Sequence, residues 1–238
     1  MSEMNDMSGV VLVTGAAGAL GGVVCDTLTA AGLSVAAVDL PSPRLDQLVA
    51  DGRASLALGL DVTDLGALRE AVRTIETNLG PITGAALIAG GFMYSGPLHL
   101  AEDDGAAAMF HMNVDTVSRG LRALLPGMVS RGGGSVVIIG ARPGQRPWTG
   151  VGMASYTASK AAALALVQAT AAEVLESGVR VNAVLPSTID TPRNREDMPQ
   201  ADPRRWVSPE SIAGVIQFLL SDAARDISGA LVPVYARA

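Results

Sequence analysis

Lysine is almost missing from this chain. Of its 17 basic side chains only Lys160 is a lysine, and the rest are arginines. They occur singly or in pairs, and the net charge is −6 with a pI near 4.9. An acidic chain without a basic run is not expected to bind nucleic acid. Cysteine is reduced to Cys25, so no internal disulfide can form. The expected setting is the reducing cytoplasm, with Cys25 a small core residue on a helix. The only histidines, His99 and His111, lack partners at metal-ligand spacing, so no metal site is expected; both read as solvated or capping residues. No apolar run approaches the roughly 18 residues of a membrane span. The polar N-terminal MSEMNDMS lacks the apolar stretch of a signal peptide. No Gly/Ser linker or repeat divides the chain.

What remains is a packing sequence. Its 238 residues are 49% hydrophobic and 17% charged, enough for one large domain with a substantial core. Short apolar runs alternate with helix-period segments. The strands are expected at 10–14, 34–39, 55–60, 84–89, 135–140, 179–185 and 230–235. Helices are expected at about 19–31, 64–78, 104–130, 153–177 and 209–221, with a shorter one at 42–51. Strands apolar on both faces and separated by helices predict a parallel sheet covered on two sides. The fold class is therefore α/β: a Rossmann-type, doubly wound, seven-stranded parallel sheet in one domain over 9–238, after a disordered tail at 1–8. One segment breaks the pattern. Residues 187–206, rich in proline and charge, read as an irregular lid.

Two motifs carry chemistry. The first strand runs into Gly15, Gly18, Ala19, Leu20 and Gly21 and then into a helix. Glycines there permit a tight turn and close backbone approach, and the helix start suits a pyrophosphate. Asp39 closes the second strand, where a carboxylate accepts hydrogen bonds from the hydroxyls of an adenosine ribose and repels a 2′-phosphate. NAD(H) is thus preferred, and Arg44 nearby keeps NADP(H) open. The second motif is SYTASK. Tyr156 and Lys160 stand four residues apart, on one face of an alanine-rich helix. An ammonium beside a phenol stabilises the phenolate and makes tyrosine a usable acid or base at neutral pH. Lysine is a compact three-donor group that the planar guanidinium does not replace.

The glycine turn, Asp39, Asn113 and Tyr156-x-x-x-Lys160 together resemble the short-chain dehydrogenase/reductases, from about residue 9 to 235. The resemblance implies hydride transfer between a nicotinamide cofactor and a small-molecule substrate. It implies that Tyr156 exchanges the proton, that Lys160 binds the nicotinamide ribose and tunes Tyr156, and that Asn113 organises a water leading to Lys160. Asp61 and Val62 resemble the pair beside the adenine, and Ala89 and Gly90 follow the fourth strand at the cofactor. Pro186, Thr188, Ile189 and Thr191 fall where the family places residues at the nicotinamide. Its two long helices imply a homodimer or homotetramer with two-fold symmetry.

The departures are specific. The family's middle turn glycine is Ala19, its asparagine after the fourth strand is Ile88, and its catalytic serine after the fifth strand is Ala141. Thr149, Ser155, Arg142 or a bound water are the candidates to replace that serine. Dihydropteridine reductases, a branch of the same family, also carry alanine there, and their lid resembles residues 185–206. A pterin reductase is therefore one alternative, and an NAD(H)-binding sensor without catalysis is another. Phe92, Met93, Tyr94, Trp148 and Met153 are candidate pocket residues, Trp206 reads as the anchor of the lid, and Arg193 and Arg195 as solvated lid charges.

Overall fold

The computed structural model describes residues 9–101, 103 and 105–237. The tail expected to be disordered, 1–8, lies outside the described residues. The chain begins with β1 (Val10–Thr14), α1 (Ala19–Ala30), β2 (Ser34–Asp39), α2 (Pro43–Ala50) and β3 (Leu56–Gly59). It continues with α3 (Leu65–Leu79), β4 (Ile82–Leu87), α4 (Ala106–Phe110), α5 (Thr116–Arg131) and β5 (Gly134–Ile139). It ends with α6 (Arg142–Gln145), α7 (Ala154–Val174), β6 (Val179–Pro186), α8 (Pro192–Asp197), α9 (Pro209–Leu220) and β7 (Leu231–Val234).

The seven strands form one parallel sheet in the order β3-β2-β1-β4-β5-β6-β7. Every residue of β1 is buried, and alternate residues serve opposite faces. Val10 and Leu12 join a core layer with Ile75, Leu121, Met128 and Val167. Val11 and Val13 join the other layer, with Val24, Leu28, Ile212 and Ile216. Burial on both sides explains why the strands read as unbroken apolar runs, at about 1.5–3 kcal/mol for each large side chain buried. Two helix starts are capped as composition suggests: at α3 Asp64 accepts the N–H groups of Gly66 and Ala67, and at α9 Ser208 accepts that of Ser211 ahead of Pro209 at N1.

The sequence reading needs three corrections. The fourth strand runs 82–87, not 84–89. The N–H groups of Ile88 and Ala89 leave the ladder and donate to Thr14 Oγ1 at 3.0 and 3.2 Å. The helix expected over 104–130 is interrupted by a π-helical stretch, His111–Asp115, between α4 and α5. Such widened turns are frequent at functional sites, and this one turns Asn113 inward to 1% exposure. Finally, segment 187–206 is only partly irregular. Thr191 caps α8 through the Asn194 N–H with Pro192 at N1, Asp190 and Val207 are bonded through the backbone, and Trp206 is buried. By length and composition the helical stretch Ala154–Ser177 could cross a membrane; in the fold it packs on β6 and α6.

The order reverses between β1 and β4: from β1 the chain winds outward to β2 and β3, and from β4 outward to β5, β6 and β7. At such a switch point the loops at the strand ends diverge and leave a crevice for a ligand.

Candidate cofactor and catalytic site

A cavity of about 530 Å³ fills that crevice, lined by Gly15, Gly18, Leu20, Gly21, Asp39, Asp61, Val62, Ala89 and Gly90, with Ala19 in the same turn. The turn has little freedom. Gly15 sits at φ +67, and a Cβ there would stand 2.9 Å from Ala89 N, so only glycine lets β1 exit this close to the end of β4. α1 then starts at Gly18 with no side-chain cap and no acidic residue in its first turn. Its first N–H groups and positive dipole end are left for an anion.

Asp39 and Asp61 mark the far wall. The Asp39 carboxylate accepts the N–H of Ala17 at 2.9 Å through one oxygen and that of Leu40 at 2.8 Å through the other. The carboxylate is thereby fixed at the edge of the glycine turn. Asp61 Oδ1 accepts the hydroxyl and the N–H of Thr63 at 2.7 and 2.8 Å. The Thr63 hydroxyl, and then its N–H, hold the Asp61 carboxyl below its ordinary range and set Val62 against the cavity. No lysine or arginine lines this cavity among the described residues.

The catalytic candidates meet at the opposite end, around Gly90. A Cβ on Gly90 would lie 2.8 Å from Asn113 Oδ1 and 3.5 Å from Lys160 Nζ. Asn113 Nδ2 donates to the Gly91 carbonyl at 3.0 Å and to Ser159 Oγ at 3.1 Å, and its Oδ1 accepts the Gly91 N–H at 3.0 Å. Ser159, fully buried, passes its own proton to the Tyr156 carbonyl at 2.8 Å. The π-helical turn is thus bolted to α7 one residue before Lys160. Lys160, itself buried, donates from Nζ to the Ile139 carbonyl at 3.0 Å, at the end of β5.

Burial governs both titratable groups of the SYTASK motif. Burial pushes the Tyr156 hydroxyl up to about 12 and pulls the Lys160 ammonium down to about 8. Lys160 Nζ is turned to the Ile139 carbonyl, and desolvation is the cause of both shifts.

The remaining candidates separate into those at the site and those beside it. Pro186 ends β6 beside Val234, Thr188 and Ile189 pair with Val207, and Thr191 caps α8; none lines the cavity of the glycine turn. Arg193 and Arg195 are held by Asp197 and Asp190 on the surface. Ala141 is buried at the start of α6. The Thr149 hydroxyl is already given to the Arg146 carbonyl at 2.8 Å. His111 is exposed, as expected, and also lines the cavity, with Nδ1 3.0 Å from Asp115 Oδ2. Sequence reasoning missed Ser159 and the cavity walls Leu40, Leu60, Met112 and Thr116. Ser159 adjoins Lys160 in SYTASK and Leu40 follows Asp39, so adjacency was the available signal.

A switch-point cavity with an uncapped helix start, a carboxylate after β2, and a tyrosine and lysine on α7 define an oxidoreductase that binds a nicotinamide nucleotide. The model of the short chain dehydrogenase family matches residues 9–202. The chain belongs to that family and catalyses NAD(P)-dependent hydride transfer on small alcohol or carbonyl substrates. It is 33% identical over 186 residues to 2,3-dihydro-2,3-dihydroxybenzoate dehydrogenase of Bacillus subtilis, covering 76% of this chain and 70% of that one. It is 30% identical over 237 residues, 94% of both chains, to the 2,5-dichloro-2,5-cyclohexadiene-1,4-diol dehydrogenase LinX of Sphingobium indicum. Among solved structures, NAD+-bound xylitol dehydrogenase superposes with a TM-score of 0.87 at 25% identity, over 95% of this chain and 97% of that one.

Proposed function

We propose that this protein interconverts a small alcohol and its carbonyl compound with NAD(H), with Tyr156 as the proton carrier. The observation that supports this reading is the convergence of Asn113 and Lys160 on Gly90, with Tyr156 one helical turn before Lys160. When bound, the nicotinamide supplies or takes the hydride. Tyr156 Oη gives its proton to the carbonyl oxygen in reduction and takes one from the hydroxyl in oxidation. Lys160 holds positive charge near both, and Asn113, locked by Gly91 and Ser159, keeps the floor rigid. Gly15, Gly18, Ala19, Leu20 and Gly21 would hold the pyrophosphate, and Asp39 the adenosine ribose. Asp61 and Val62 would meet the adenine, and Ala89 and Gly90 the ribose next to the nicotinamide. Pro186, Thr188, Ile189 and Thr191 would approach the nicotinamide from the lid side.

The preference for NAD(H) over NADP(H) rests on Asp39, since a carboxylate repels a 2′-phosphate and the cavity offers no cation to offset it. We also assign a two-fold homo-oligomer, dimer or tetramer. α7 turns Ala158, Ala165, Ala169 and Ala172 outward, an apolar face that a helix of this kind covers. The buried, protonated Cys25 fits a cytoplasmic protein. A pterin substrate has Ala141 in its favour, because charge spread over a conjugated ring needs less help than a ketone oxygen.

The test is Tyr156→Phe. NADH binding, followed by fluorescence, should persist, while turnover falls by about 10²- to 10⁴-fold, the usual share of a positioned acid–base group. Full activity in that variant would remove Tyr156 from the mechanism. Unchanged NADH binding without turnover of any alcohol, carbonyl or pterin by the parent protein would leave a sensor.

A further inference from the structure

We propose that Phe92 is the specificity-determining wall of the active site, selecting substrates whose alcohol or carbonyl is carried on a flat ring. The proposal rests on the reading of Tyr156 as the proton carrier. The ring of Phe92 meets that of Tyr156 edge to face, with centroids 5.0 Å apart and planes at 85°. A substrate that reaches Tyr156 therefore has the Phe92 ring as an immediate neighbour of the reacting site. Despite this contact Phe92 is 61% exposed, so much of its ring remains open to a ligand.

The wall is held in place at both ends. Before it, Gly91 is clasped by Asn113 through its N–H and its carbonyl. After it, the N–H groups of Ser95 and Gly96 both donate to the Gly152 carbonyl, at 3.1 and 3.0 Å. Tyr94 lies directly over Gly152, which has φ +76; a Cβ there would stand 2.5 Å from Tyr94 Cε2 and 2.7 Å from its hydroxyl oxygen. Only glycine permits this closure. Residues 91–96 thus form a strap pinned to the loop before α7, and Phe92 is its apolar centre. From Gly90 to Gly96 the strap carries no charged side chain.

A pre-ordered aromatic wall favours rings for a physical reason. A planar ring can stack or set its edge against Phe92 at centroid distances of about 4.5–7 Å. An open chain of equal polarity offers less surface there and loses rotor freedom on binding.

The experiment compares benzyl alcohol with 2-butanol. Binding to NADH-loaded protein is measured by ligand-observed NMR, and oxidation with NAD+ is followed alongside. The parent protein should bind benzyl alcohol more tightly. Phe92→Ala should narrow that preference by about three- to tenfold, the worth of one edge-to-face contact. Phe92→Tyr should keep the preference, and Gly152→Ala, which displaces Tyr94, should narrow it as Phe92→Ala does. Equal binding of the two alcohols by the parent, or an equal loss for both in Phe92→Ala, overturns the proposal. Retained turnover in Tyr156→Phe would instead overturn the reading beneath it, so the two failures are told apart.

Discussion

Asn113 holds Gly91 from both sides: Nδ2 donates to its carbonyl and Oδ1 accepts its N–H, each at 3.0 Å. With Ser159 taking the second Nδ2 proton, the amide has both protons and its oxygen engaged inside the protein. Asn113→Leu, similar in size, would strand the Gly91 N–H and carbonyl, while Ser159 Oγ keeps its bond to the Tyr156 carbonyl. Each buried group left unpaired costs about 1–3 kcal/mol. We expect a clear drop in the urea midpoint together with loss of turnover. Ser159→Ala removes one acceptor and should cost less, about 1 kcal/mol. Equal urea midpoints for Asn113→Leu and the parent would mean that the clasp adds nothing to stability.

The sequence made the sheet legible because each strand is apolar on both faces, a pattern that only a sheet covered on two sides requires. Tyr156 and Lys160 were legible because four-residue spacing fixes a common helix face. The π-helical turn at His111–Asp115 left no such mark. It depends on Asn113 reaching Gly91, a contact across 22 residues, and local periodicity carries no record of it. The early exit of β4 was hidden for the same reason, since Thr14 Oγ1 supplies the competing acceptor from 74 residues away. Spacing gives proximity along a helix but neither the burial of Tyr156 and Lys160 nor the direction of Lys160 Nζ, which faces the Ile139 carbonyl.

Asp39 gives the second test. Asp39→Asn retains the shape and removes the charge, and its one amide oxygen can accept only one of the N–H groups of Ala17 and Leu40, which the carboxylate takes with separate oxygens. The ratio of kcat/KM for NADPH to that for NADH should rise by about 10- to 100-fold, the range set by charged hydrogen bonds of about 1.5–3 kcal/mol. An unchanged ratio would show that the carboxylate does not face the ribose 2′ position.

Two glycines of the turn should differ in their tolerance. A Cβ on Gly21 would collide with the Gly15 carbonyl oxygen and stand 2.7 Å from its carbon and 2.8 Å from Ala16 Cα. All of these are backbone atoms and none can swing away. On Gly18 the only close atom is Gly15 O at 3.1 Å. Gly21→Ala should cost about 1–3 kcal/mol or more, which for a chain of this size lowers Tm by about 2–4 °C per kcal/mol. Gly18→Ala should be milder in Tm. The reverse order in thermal melts would contradict the geometry of the turn.

Lys160 predicts how stability of the cofactor-free protein depends on pH. Burial lowers its ammonium from 10.5 to about 8. Below pH 8 the side chain is charged in both the folded and the unfolded chain, and the full cost of burying the charge is present. Between pH 8 and 10.5 the unfolded chain still binds the proton while the folded one releases it, so stability climbs with pH. Two other desolvated groups act in the opposite sense. Cys25 is raised from 9.0, and Tyr156 from 10.0, each to about 12. The folded protein keeps these two protonated where the unfolded chain ionises, so stability falls above pH 9 from Cys25 and above pH 10 from Tyr156 as well. The clean window for Lys160 is pH 8 to 9, with a rise of up to about 1.4 kcal/mol per pH unit. Urea midpoints at closely spaced pH values should show that rise and then a turnover. Lys160→Met should abolish the rise while leaving the decline above pH 9. A parent protein with a flat profile from pH 8 to 9 would mean that the ammonium is hydrated or paired in the folded state, and that its burial does not control its proton.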